Sequence, residues 1–399
     1  MISRRLPALV TLFIASATYA AAQSPLPMAD PAAVGMAPER LARVDGVVSE
    51  AIQRGEEPGA VVVIGRRGQL VYRKAFGQRA TLPVAEPMTE DTIFDAASLT
   101  KVIATATAVM ILVEEGRLSF TDTVTGYIPG FAENEKGKIT LLQLLTHYSG
   151  LRPDLDLNEP WVGYDTAISL ACKEKPIALP GEKFIYSDIN YFLLGDIVSR
   201  VSGQTLAQFA KERIFTPLGM KDTGFQPDLQ LISRIAPSEP RDRVMLRGTV
   251  HDPTAFRMGG AAGHAGLFTT VDDLAIFAQM LLNQGTFNGT RILSPLAVLA
   301  MTTPQSPVGM NAFRGIGFDI RTSFSSTRGD LFPVGSFGHT GFTGTSLWID
   351  PWTETFVIVF TSRLHPEGKG NASPIRKRVA SVVAASILEI PSVRDFYRH

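Results

Sequence analysis

The fold is decided by the stretch Ser98-Leu99-Thr100-Lys101 and by the run Val102–Val113 after it, which is almost wholly Ala, Val, Ile, Leu, Met and Thr. A helix that is apolar on every side is a buried helix, so we expect this run to lie in the centre of the molecule. Ser98 and Lys101 are three positions apart, a spacing that puts both side chains on one helical face. The start of the helix also brings backbone N–H groups and the positive end of the dipole to the Ser98 hydroxyl.

This Ser-x-x-Lys spacing suits nucleophilic catalysis. A lysine that is held against a serine and partly desolvated has a lowered pKa and can accept the hydroxyl proton. We therefore predict that Ser98 is a nucleophile and that Lys101 is its base. The tetrad alone is weak evidence, since roughly one chance match is expected in a chain of this length. The alternative is a capping serine beside a lysine that reaches solvent.

A second motif, Tyr186-Ser187-Asp188, follows Pro180-Gly181 and precedes a helical pattern that starts at Asn190. A phenol close to a lysine can move protons between a nucleophile and a leaving group. Tyr186 is therefore a candidate catalytic acid and base. The alternative is a core tyrosine whose hydroxyl is hydrogen-bonded.

A third motif is His339-Thr340-Gly341. Glycine here allows a substrate to approach a strand edge closely. The backbone N–H of Phe342, directly after Gly341, would be the second donor of an oxyanion hole whose first donor is the N–H of Ser98. The alternative is a glycine-rich strand entry with an exposed histidine.

Strand and helix patterns surround the three motifs. Two strand-like runs, Ala60–Ile64 and Leu70–Ala75, are separated by the hairpin signal Arg66-Arg67-Gly68. Strand patterns return late in the chain, at Gly317–Ile320, Thr345–Ile349 and Phe356–Thr361. Helical patterns are found at Glu39–Gln53, Leu141–His147, Asp165–Ala171, Asn190–Val201, Leu206–Ile214, Asp272–Leu282 and Pro374–Leu388.

The order of these patterns predicts one body built from both ends of the chain. Strand signals fade between residues 119 and 259, where helical patches and Pro/Gly loops dominate. We therefore predict an α/β (α+β) fold whose body comes from about residues 38–118 and 260–399, with a mostly helical insertion at about 119–259.

The N-terminus has the pattern of a secretory signal peptide. The basic pair Arg4-Arg5 precedes an apolar run at about residues 6–19, and small residues follow at 20–22. We predict that residues 1–22 are removed and that residues 23–399 form a periplasmic or secreted protein with no stable membrane insertion after signal cleavage. An uncleaved anchor is the alternative, although the run is short for a transmembrane helix.

The composition is that of an ordinary globular protein, with 45% hydrophobic and 19% charged residues. Lys+Arg and Asp+Glu both total 38, so the formal net charge is zero. Neither a nucleic-acid surface nor a polybasic membrane patch is therefore predicted. Cys172 is the only cysteine, which excludes an intramolecular disulfide and a cysteine-rich metal site.

Two histidine-bearing segments, His251-Asp252 and His264, suggest a zinc site, since histidines and carboxylates are zinc ligands. Their spacing matches no metal motif that we can justify. Hydrogen-bonded loop histidines are the favoured interpretation. We expect neither a metal nor another cofactor.

In order and rough spacing, the three motifs resemble those of the serine β-lactamase and penicillin-binding-protein superfamily. Longer phrases resemble its class C-like branch, which also contains family VIII carboxylesterases and D-amino-acid peptidases. These phrases are Leu145–Leu151 (LTHYSGL), Thr216–Met220 (TPLGM) and Gly263–Phe268 (GHAGLF). The resemblance covers nearly the whole mature chain and implies a β-lactamase/transpeptidase-like antiparallel sheet flanked by helices.

The resemblance also implies an acyl-transfer site of the Ser–Lys–Tyr kind. Ser98 would attack a carbonyl and form an acyl-enzyme, while Lys101, the preferred base, and Tyr186 would move the protons. The backbone N–H groups of Ser98 and Phe342 would stabilise the oxyanion, and water would release the acyl group. His264 would line the substrate cleft, because its segment borders the site in this superfamily.

One departure from the family pattern is Asp188, which stands where asparagine is usual. An amide donates and accepts hydrogen bonds, whereas a carboxylate only accepts them. Asp188 would therefore pair with Lys101 and hold it charged, which weakens a base. Alternatively it would point away, and Asn190 would take the polar role.

A second departure is His339, which stands where lysine is usual. A largely neutral histidine attracts a substrate carboxylate less well near pH 7, so both departures reduce the expectation of efficient β-lactam hydrolysis. Arg363 would bind such a carboxylate or would be a surface arginine. The predicted substrate-binding residues are Asp188, Asn190, His264, His339, Thr340, Gly341 and Arg363.

The function favoured by these residues is a serine hydrolase that acts on a small-molecule ester, amide or peptide, with carboxylic esters first. A D-alanyl-D-alanine carboxypeptidase or related D-amino-acid peptidase is the next alternative, followed by a β-lactamase. A non-catalytic sensor of peptidoglycan fragments is disfavoured, because both Ser98 and Lys101 are present.

Overall fold

The structure is a computed structural model that describes residues 26–390, so the predicted signal peptide lies outside the described residues. The described strands are β1 Gly59–Arg66, β2 Gln69–Ala80, β3 Glu86–Pro87, β4 Phe94–Asp95, β5 Gly224–Phe225, β6 Pro240–Arg241, β7 Val244–Met245, β8 Leu267–Thr269, β9 Thr286–Phe287, β10 Thr290–Arg291, β11 Phe313–Arg314, β12 Asp319–Arg321, β13 Phe337–Thr340, β14 Thr345–Asp350 and β15 Thr355–Thr361. The described α-helices are α1 Pro38–Leu41, α2 Arg43–Gln53, α3 Thr107–Glu114, α4 Leu141–Leu145, α5 Tyr164–Lys173, α6 Asp188–Ser202, α7 Leu206–Ala210, α8 Thr216–Leu218, α9 Pro253–Arg257, α10 Val271–Leu282, α11 Pro295–Thr302 and α12 Ser373–Ser386.

An antiparallel sheet forms the body, with its strands in the order β11-β12-β13-β14-β15-β1-β2-β3. The centre of this sheet joins the two ends of the chain. There β15 pairs with β1, from Ala60 opposite Thr361 to Arg66 opposite Thr355. The predicted α/β (α+β) class, with an antiparallel sheet flanked by helices, is confirmed, and so is the hairpin of β1 and β2.

Strand β1 is buried on both faces, because helices cover each side of the sheet. Val61 and Val63 contact the larger core. Ala60, Val62 and Ile64 contact a smaller core that α2 and α12 share. This alternation follows from the two-residue period of a strand. Each fully buried Val or Ile side chain contributes roughly 1.5–3 kcal/mol, so the joint between the two chain ends is strongly held.

The apolar run after Lys101 forms the predicted buried helix, as a π-helical stretch, Lys101–Ala106, followed by α3. By length and composition the segment Ala97–Glu114 could cross a membrane, but 83% of it is buried inside the fold. The helix ends where Gly116 adopts a left-handed φ of 68°. It is therefore the core helix of the larger core.

In the region 119–259 helices hold far more residues than strands, since its described strands, β5 to β7, are two residues long each. Strand β5 pairs with β8, and β8 pairs with β4, which directly precedes the turn that holds Ser98. This small second sheet ties the helical region to the body at the start of the Ser98 motif. The division of the chain into a body and an insertion stays a prediction.

A loop before β8 lies close to two helices at Gly263. A Cβ atom there would lie 2.0 Å from the carbonyl oxygen of Tyr191 on α6. The Gly263 carbonyl also accepts a hydrogen bond of 2.6 Å from the hydroxyl of Thr105, on the helix after Lys101. Only glycine allows these backbones to approach so closely.

We expect Gly263→Ala to lower the free energy of unfolding by about 1–3 kcal/mol, because the new methyl group overpacks this junction. The matched control is Gly46→Ala, since Gly46 lies on the exposed side of α2 with open space around it. That change should stabilise the protein by about 0.5–1 kcal/mol. Urea unfolding of both variants measures the effects, and equal effects of the same sign would contradict the close approach.

Candidate active site

The nucleophile turn is the short 3₁₀ segment Ala97–Leu99, between β4 and the buried helix. Ala97 has a φ of 47°, a left-handed conformation that costs a non-glycine residue of order 1–3 kcal/mol. The carboxylate of Asp95 accepts a hydrogen bond of 2.9 Å from the Ala97 N–H and stabilises this conformation. The turn presents Ser98 to a cleft.

The amine of Lys101 has no exposure to solvent. Its Nζ donates to Ser98 Oγ at 3.0 Å and to the carbonyl oxygen of His264 at 3.0 Å. It also forms an ion pair of 2.6 Å with Asp188 Oδ1. Three oxygens from three distant segments therefore surround one buried nitrogen.

This environment keeps Lys101 charged. Complete burial acts to lower the pKa of Lys101, but the carboxylate of Asp188 and the phenol of Tyr186 outweigh burial and raise it. Of the two arrangements that the sequence left open for Asp188, the structure has the one that pairs with Lys101. Because an ammonium has no lone pair, Lys101 in this state cannot take the Ser98 proton unaided.

Tyr186 lies beside Lys101, with the lysine Nζ 5.0 Å from the ring centroid. Its ring stacks on the buried ring of His147, with the centroids 4.3 Å apart. Nδ1 of His147 accepts a hydrogen bond of 3.1 Å from the Ser187 N–H. Burial, with the charges of Arg314 and Lys101, lowers the pKa of His147 well below its usual range. His147 is thus a neutral support for Tyr186.

The three motifs open onto one cleft of about 370 Å³. The structure brings together in it Ser98, Tyr186, His339, Thr340, Gly341, Phe342 and Arg363. The cleft is also lined by Arg314, Asp319, Phe324, Asn371, Ala372, Ser373 and Arg376.

His339 lies at the end of β13 and is almost fully buried. Its Nδ1 lies 2.9 Å from the carbonyl oxygen of Thr340, which can only accept, so Nδ1 carries the proton. Burial first, and then the charges of Arg314 and Lys101, lowers the pKa of His339 well below its usual range. His339 is therefore neutral, and within the described part of the chain its Nε2 has no hydrogen-bond partner.

Phe342, whose backbone N–H is the predicted oxyanion donor, is clamped between two side chains. The ring of His251 stacks on it at 5.7 Å, and the guanidinium of Arg363 lies 4.1 Å from its centroid. Arg363 also donates to the carbonyl oxygens of Phe342 and Gly370. Phe342 nevertheless stays 61% exposed and forms one wall of the cleft.

Three predicted substrate-binding residues, Asp188, His264 and Asn190, do not line the cleft, and those expectations are corrected. His264 is buried with its Nε2 2.9 Å from Asp252 Oδ1, and only its backbone carbonyl reaches the site, on Lys101. Asn190 is also buried, and its amide oxygen accepts a hydrogen bond of 2.6 Å from the Ser149 hydroxyl. All three side chains already have partners inside the protein.

The histidines that suggested zinc are paired with carboxylates. His251 Nε2 lies 2.6 Å from Glu239 Oε1, and His264 pairs with Asp252. Among residues 26–390 no group of three His, Cys, Asp or Glu side chains is placed to hold a metal ion.

Two buried arginines at the cleft were not predicted from the sequence. Arg314 donates to the Gly317 carbonyl oxygen at 2.6 Å. Arg376, on α12, donates to the carbonyl oxygens of Gly341 and Thr345 at 2.9 and 2.8 Å. The buried face of α12 contains Ile375, Arg376, Val379, Ala380 and Val383. Because Arg376 is a cation among apolar residues on one helix face, its burial could have been predicted from the sequence. Arg314 lies in a two-residue strand whose sequence gives no such indication.

The sequence profile of the Beta-lactamase family matches residues 44–381. The chain belongs to the β-lactamase family. A protein of Escherichia coli O157:H7, described as "Putative D-alanyl-D-alanine carboxypeptidase", is 34% identical over 395 residues, which cover 89% of this chain and 90% of the relative. The predicted membership of the serine β-lactamase and penicillin-binding-protein superfamily is thus confirmed, and the protein is a serine hydrolase of the β-lactamase family.

Several solved structures share the fold. "EstCE1, a hydrolase with promiscuous acyltransferase activity" has a TM-score of 0.70 at 23% identity and covers 87% of this chain and 99% of its own. "A class C beta-lactamase" has a TM-score of 0.71 at 19% identity and covers 89% of this chain and 98% of its own. At these identities the likeness supports the architecture alone.

The His264–Asp252 pair gives a pH-dependent prediction for stability. Burial acts to lower the pKa of His264, but Asp252 outweighs it and raises the pKa above 6.5. Burial likewise acts to raise the pKa of Asp252, but His264 lowers it well below 3.8. A raised histidine pKa stabilises the fold below 6.5 and loses that effect as pH rises through the folded value. A lowered carboxyl pKa stabilises above 3.8 and loses its effect on acidification.

We therefore expect Asp252→Asn to lower the free energy of unfolding most between pH 4 and pH 6.5, by about 3–5 kcal/mol. The loss should shrink as pH rises past the folded pKa of His264. Urea unfolding at pH 5.5 and pH 9 measures it. Asp330→Asn, which removes an exposed surface pair with Lys377, is the control and should change little. A pH-independent loss would contradict the charged pair.

Proposed function

We propose that the protein is an exported serine hydrolase that removes the last residue of peptides ending in D-alanyl-D-alanine, through an acyl-enzyme on Ser98. The observation that carries this proposal is the positive charge of the cleft beside Ser98. The E. coli relative, whose description names this activity, supports it as well. The proposed export rests on the signal-peptide pattern of residues 1–22.

The positive charge comes from Arg314, Arg363 and Arg376, which all line the cleft. Asp319 is the acidic residue among the lining side chains, so cations outnumber anions. The first turn of α12, at Ser373, also faces this space, and a helix N-terminus favours an anion. A substrate that carries a carboxylate close to its scissile bond fits these charges.

The arginines of the cleft change what His339 implies about the substrate. From the sequence, esters are the first candidate because Asp188 replaces the usual asparagine and a neutral His339 replaces a cationic lysine. The buried arginines supply the missing charge from β11 and α12 instead. A peptide with a free carboxyl terminus therefore becomes the first candidate substrate.

Hydrolysis of small carboxylic esters is the second candidate function. The favouring observation is the exposed apolar ring of Phe342, which forms a cleft wall suited to an uncharged acyl or alcohol group. The neutral state of His339 also permits an uncharged group nearby.

The proposed mechanism uses the groups that face the cleft. Ser98 Oγ attacks the carbonyl carbon, and the backbone N–H groups of Ser98 and Phe342 stabilise the oxyanion. Tyr186 protonates the leaving group, since its ring lies against both Lys101 and the cleft. Water then hydrolyses the acyl-enzyme by the reverse sequence.

Ser98→Ala should abolish release of D-alanine from a D-alanyl-D-alanine tripeptide and should remove the covalent adduct formed with a fluorophosphonate. Removing a nucleophile that no neighbour can replace costs about 10⁶-fold in kcat. Intact-protein mass and a D-alanine assay are the measurements. A phosphonate adduct that persists in Ser98→Ala would place the nucleophile elsewhere.

Arg363→Gln should slow cleavage of the free-acid tripeptide by about 10- to 100-fold, the value of one charge-assisted hydrogen bond. Cleavage of the same peptide as its C-terminal amide, and of p-nitrophenyl acetate, should change far less. Arg378→Gln is the matched control, because Arg378 pairs with Glu50 on the surface of the same end of the chain. Equal losses on the acid and the amide would show that Arg363 does not bind a carboxylate, and would favour the ester function.

A further inference from the structure

The residue pair Lys101–Asp188 sets a problem for acyl transfer. The resting Lys101 is an ammonium with three oxygens within 3.0 Å, and an ammonium has three protons and no lone pair. It can accept the proton of Ser98 only if one of its own protons leaves at the same time. The group that receives this proton must therefore be one of the neighbours of Lys101 Nζ.

Two of the three neighbouring oxygens cannot receive it. The carbonyl oxygen of His264 is a hydrogen-bond acceptor but not a base at ordinary pH. Ser98 Oγ is the atom that has to lose its proton. Asp188 Oδ1 is the third neighbour, the closest at 2.6 Å, and a carboxylate can be protonated.

Asp188 is also the member of the pair that reaches water. Its side chain is 23% exposed, whereas that of Lys101 is 0% exposed. A proton that arrives on Asp188 can therefore exchange with solvent, while a proton on Lys101 cannot. The Asp188 backbone is fixed by a hydrogen bond of 2.7 Å from its N–H to the Pro153 carbonyl oxygen.

The other carboxylates nearby already have hydrogen-bond partners. Asp252 Oδ1 pairs with His264 at 2.9 Å. Asp154 Oδ2 accepts a hydrogen bond of 2.7 Å from the Thr254 hydroxyl. The rings of Tyr186 and Tyr191 lie against Lys101. The other charged and titratable groups around the pair are His147, His339, Arg314, Asp154, Asp252 and His264.

We propose that Asp188 is the final acceptor of the Ser98 proton, with Lys101 as the relay between them. As Ser98 Oγ bonds to the substrate carbonyl carbon, the O–H bond of Ser98 breaks and an N–H bond forms on Lys101. A different N–H bond of Lys101 breaks, and an O–H bond forms on Asp188. The negative charge moves from Asp188 to the oxyanion. When the leaving group departs with the proton of Tyr186, the O–H bond of Asp188 breaks and its proton returns through Lys101 to the Tyr186 phenolate.

This role differs from that of the aspartate in a Ser-His-Asp triad, which orients the histidine and does not become protonated. A triad histidine is neutral at rest and can accept a proton directly. Lys101 begins as a cation, so its relay needs an acceptor behind it. Asp188 acts through Lys101 and does not touch the substrate carbonyl in this scheme.

The test is the pH dependence of Ser98 labelling by a fluorophosphonate, which needs no knowledge of the natural substrate. The wild-type rate constant should be nearly flat from pH 6 to pH 9. In Asp188→Asn, Lys101 must lose its proton to solvent first. Without the carboxylate of Asp188, burial lowers the pKa of Lys101, so we expect labelling measured from pH 5 upward to rise about tenfold per pH unit below that lowered pKa and to level off above it.

Two further variants separate this role from a structural one. Asp154→Asn removes an acid from the same cluster without touching Lys101, and it should keep the flat profile. Asp188→Glu keeps a carboxylate and should also stay flat, at a reduced rate, which provides a test if Asp188→Asn does not fold. Proton inventories in H₂O/D₂O mixtures should be curved for the wild type, with two protons in motion, and linear for Asp188→Asn.

The outcomes are distinguishable. A flat profile at the wild-type rate for Asp188→Asn, or a loss of labelling that high pH does not restore in a folded variant, overturns the proposal. If Tyr186→Phe and not Asp188→Asn makes labelling pH-dependent, the phenol is the acceptor. The inference rests on the acyl-enzyme function proposed above, and its failure looks different: the wild-type Ser98 would not be labelled at any pH.

Discussion

A charged amine that is removed from water must find an oxygen for each of its protons, and the fold around Lys101 meets this requirement from three directions. Ser98 comes from the turn before the buried helix, Asp188 from the first turn of α6 and the His264 carbonyl from the loop before β8. The helix, the helical region and the small second sheet must therefore converge on one nitrogen. The close approach at Gly263, one residue before that carbonyl, follows from the same requirement.

Much of the fold could be predicted, because the relevant signals are local. The hairpin of β1 and β2 and the strand at Phe356–Thr361 follow from short, continuous apolar runs, and the structure has them, with β2 extended to Ala80. The single helix expected at Glu39–Gln53 is interrupted at Ala42, between α1 and α2. The order of the eight strands could not be predicted, since it depends on the pairing of β1 with β15, whose residues lie about 300 positions apart along the chain.

The motif residues of the site were predicted from the sequence, but the orientation of several loop side chains was not. Motif residues define which chemistry is present, and the structure brings Ser98, Lys101 and Tyr186 together. The direction in which a loop side chain points depends on partners that are distant in sequence. His264 turns inward to Asp252, although its carbonyl belongs to the site. His147 lay inside a phrase quoted only for its family likeness, and its stacking under Tyr186 shows only in three dimensions.

The junction of the two chain ends has a consequence for how the enzyme is made. Backbone carbonyls next to the nucleophile turn are held by the hydroxyls of Thr343 and Thr345, at 2.7 Å to Asp95 and 3.0 Å to Ala96. Both threonines leave the ribosome after most of the chain, as do β15 and α12. Contacts of such long sequence separation form slowly and late. The cleft beside Ser98 therefore cannot be complete before the segment that holds Thr343 and Thr345, and then α12, have been synthesised.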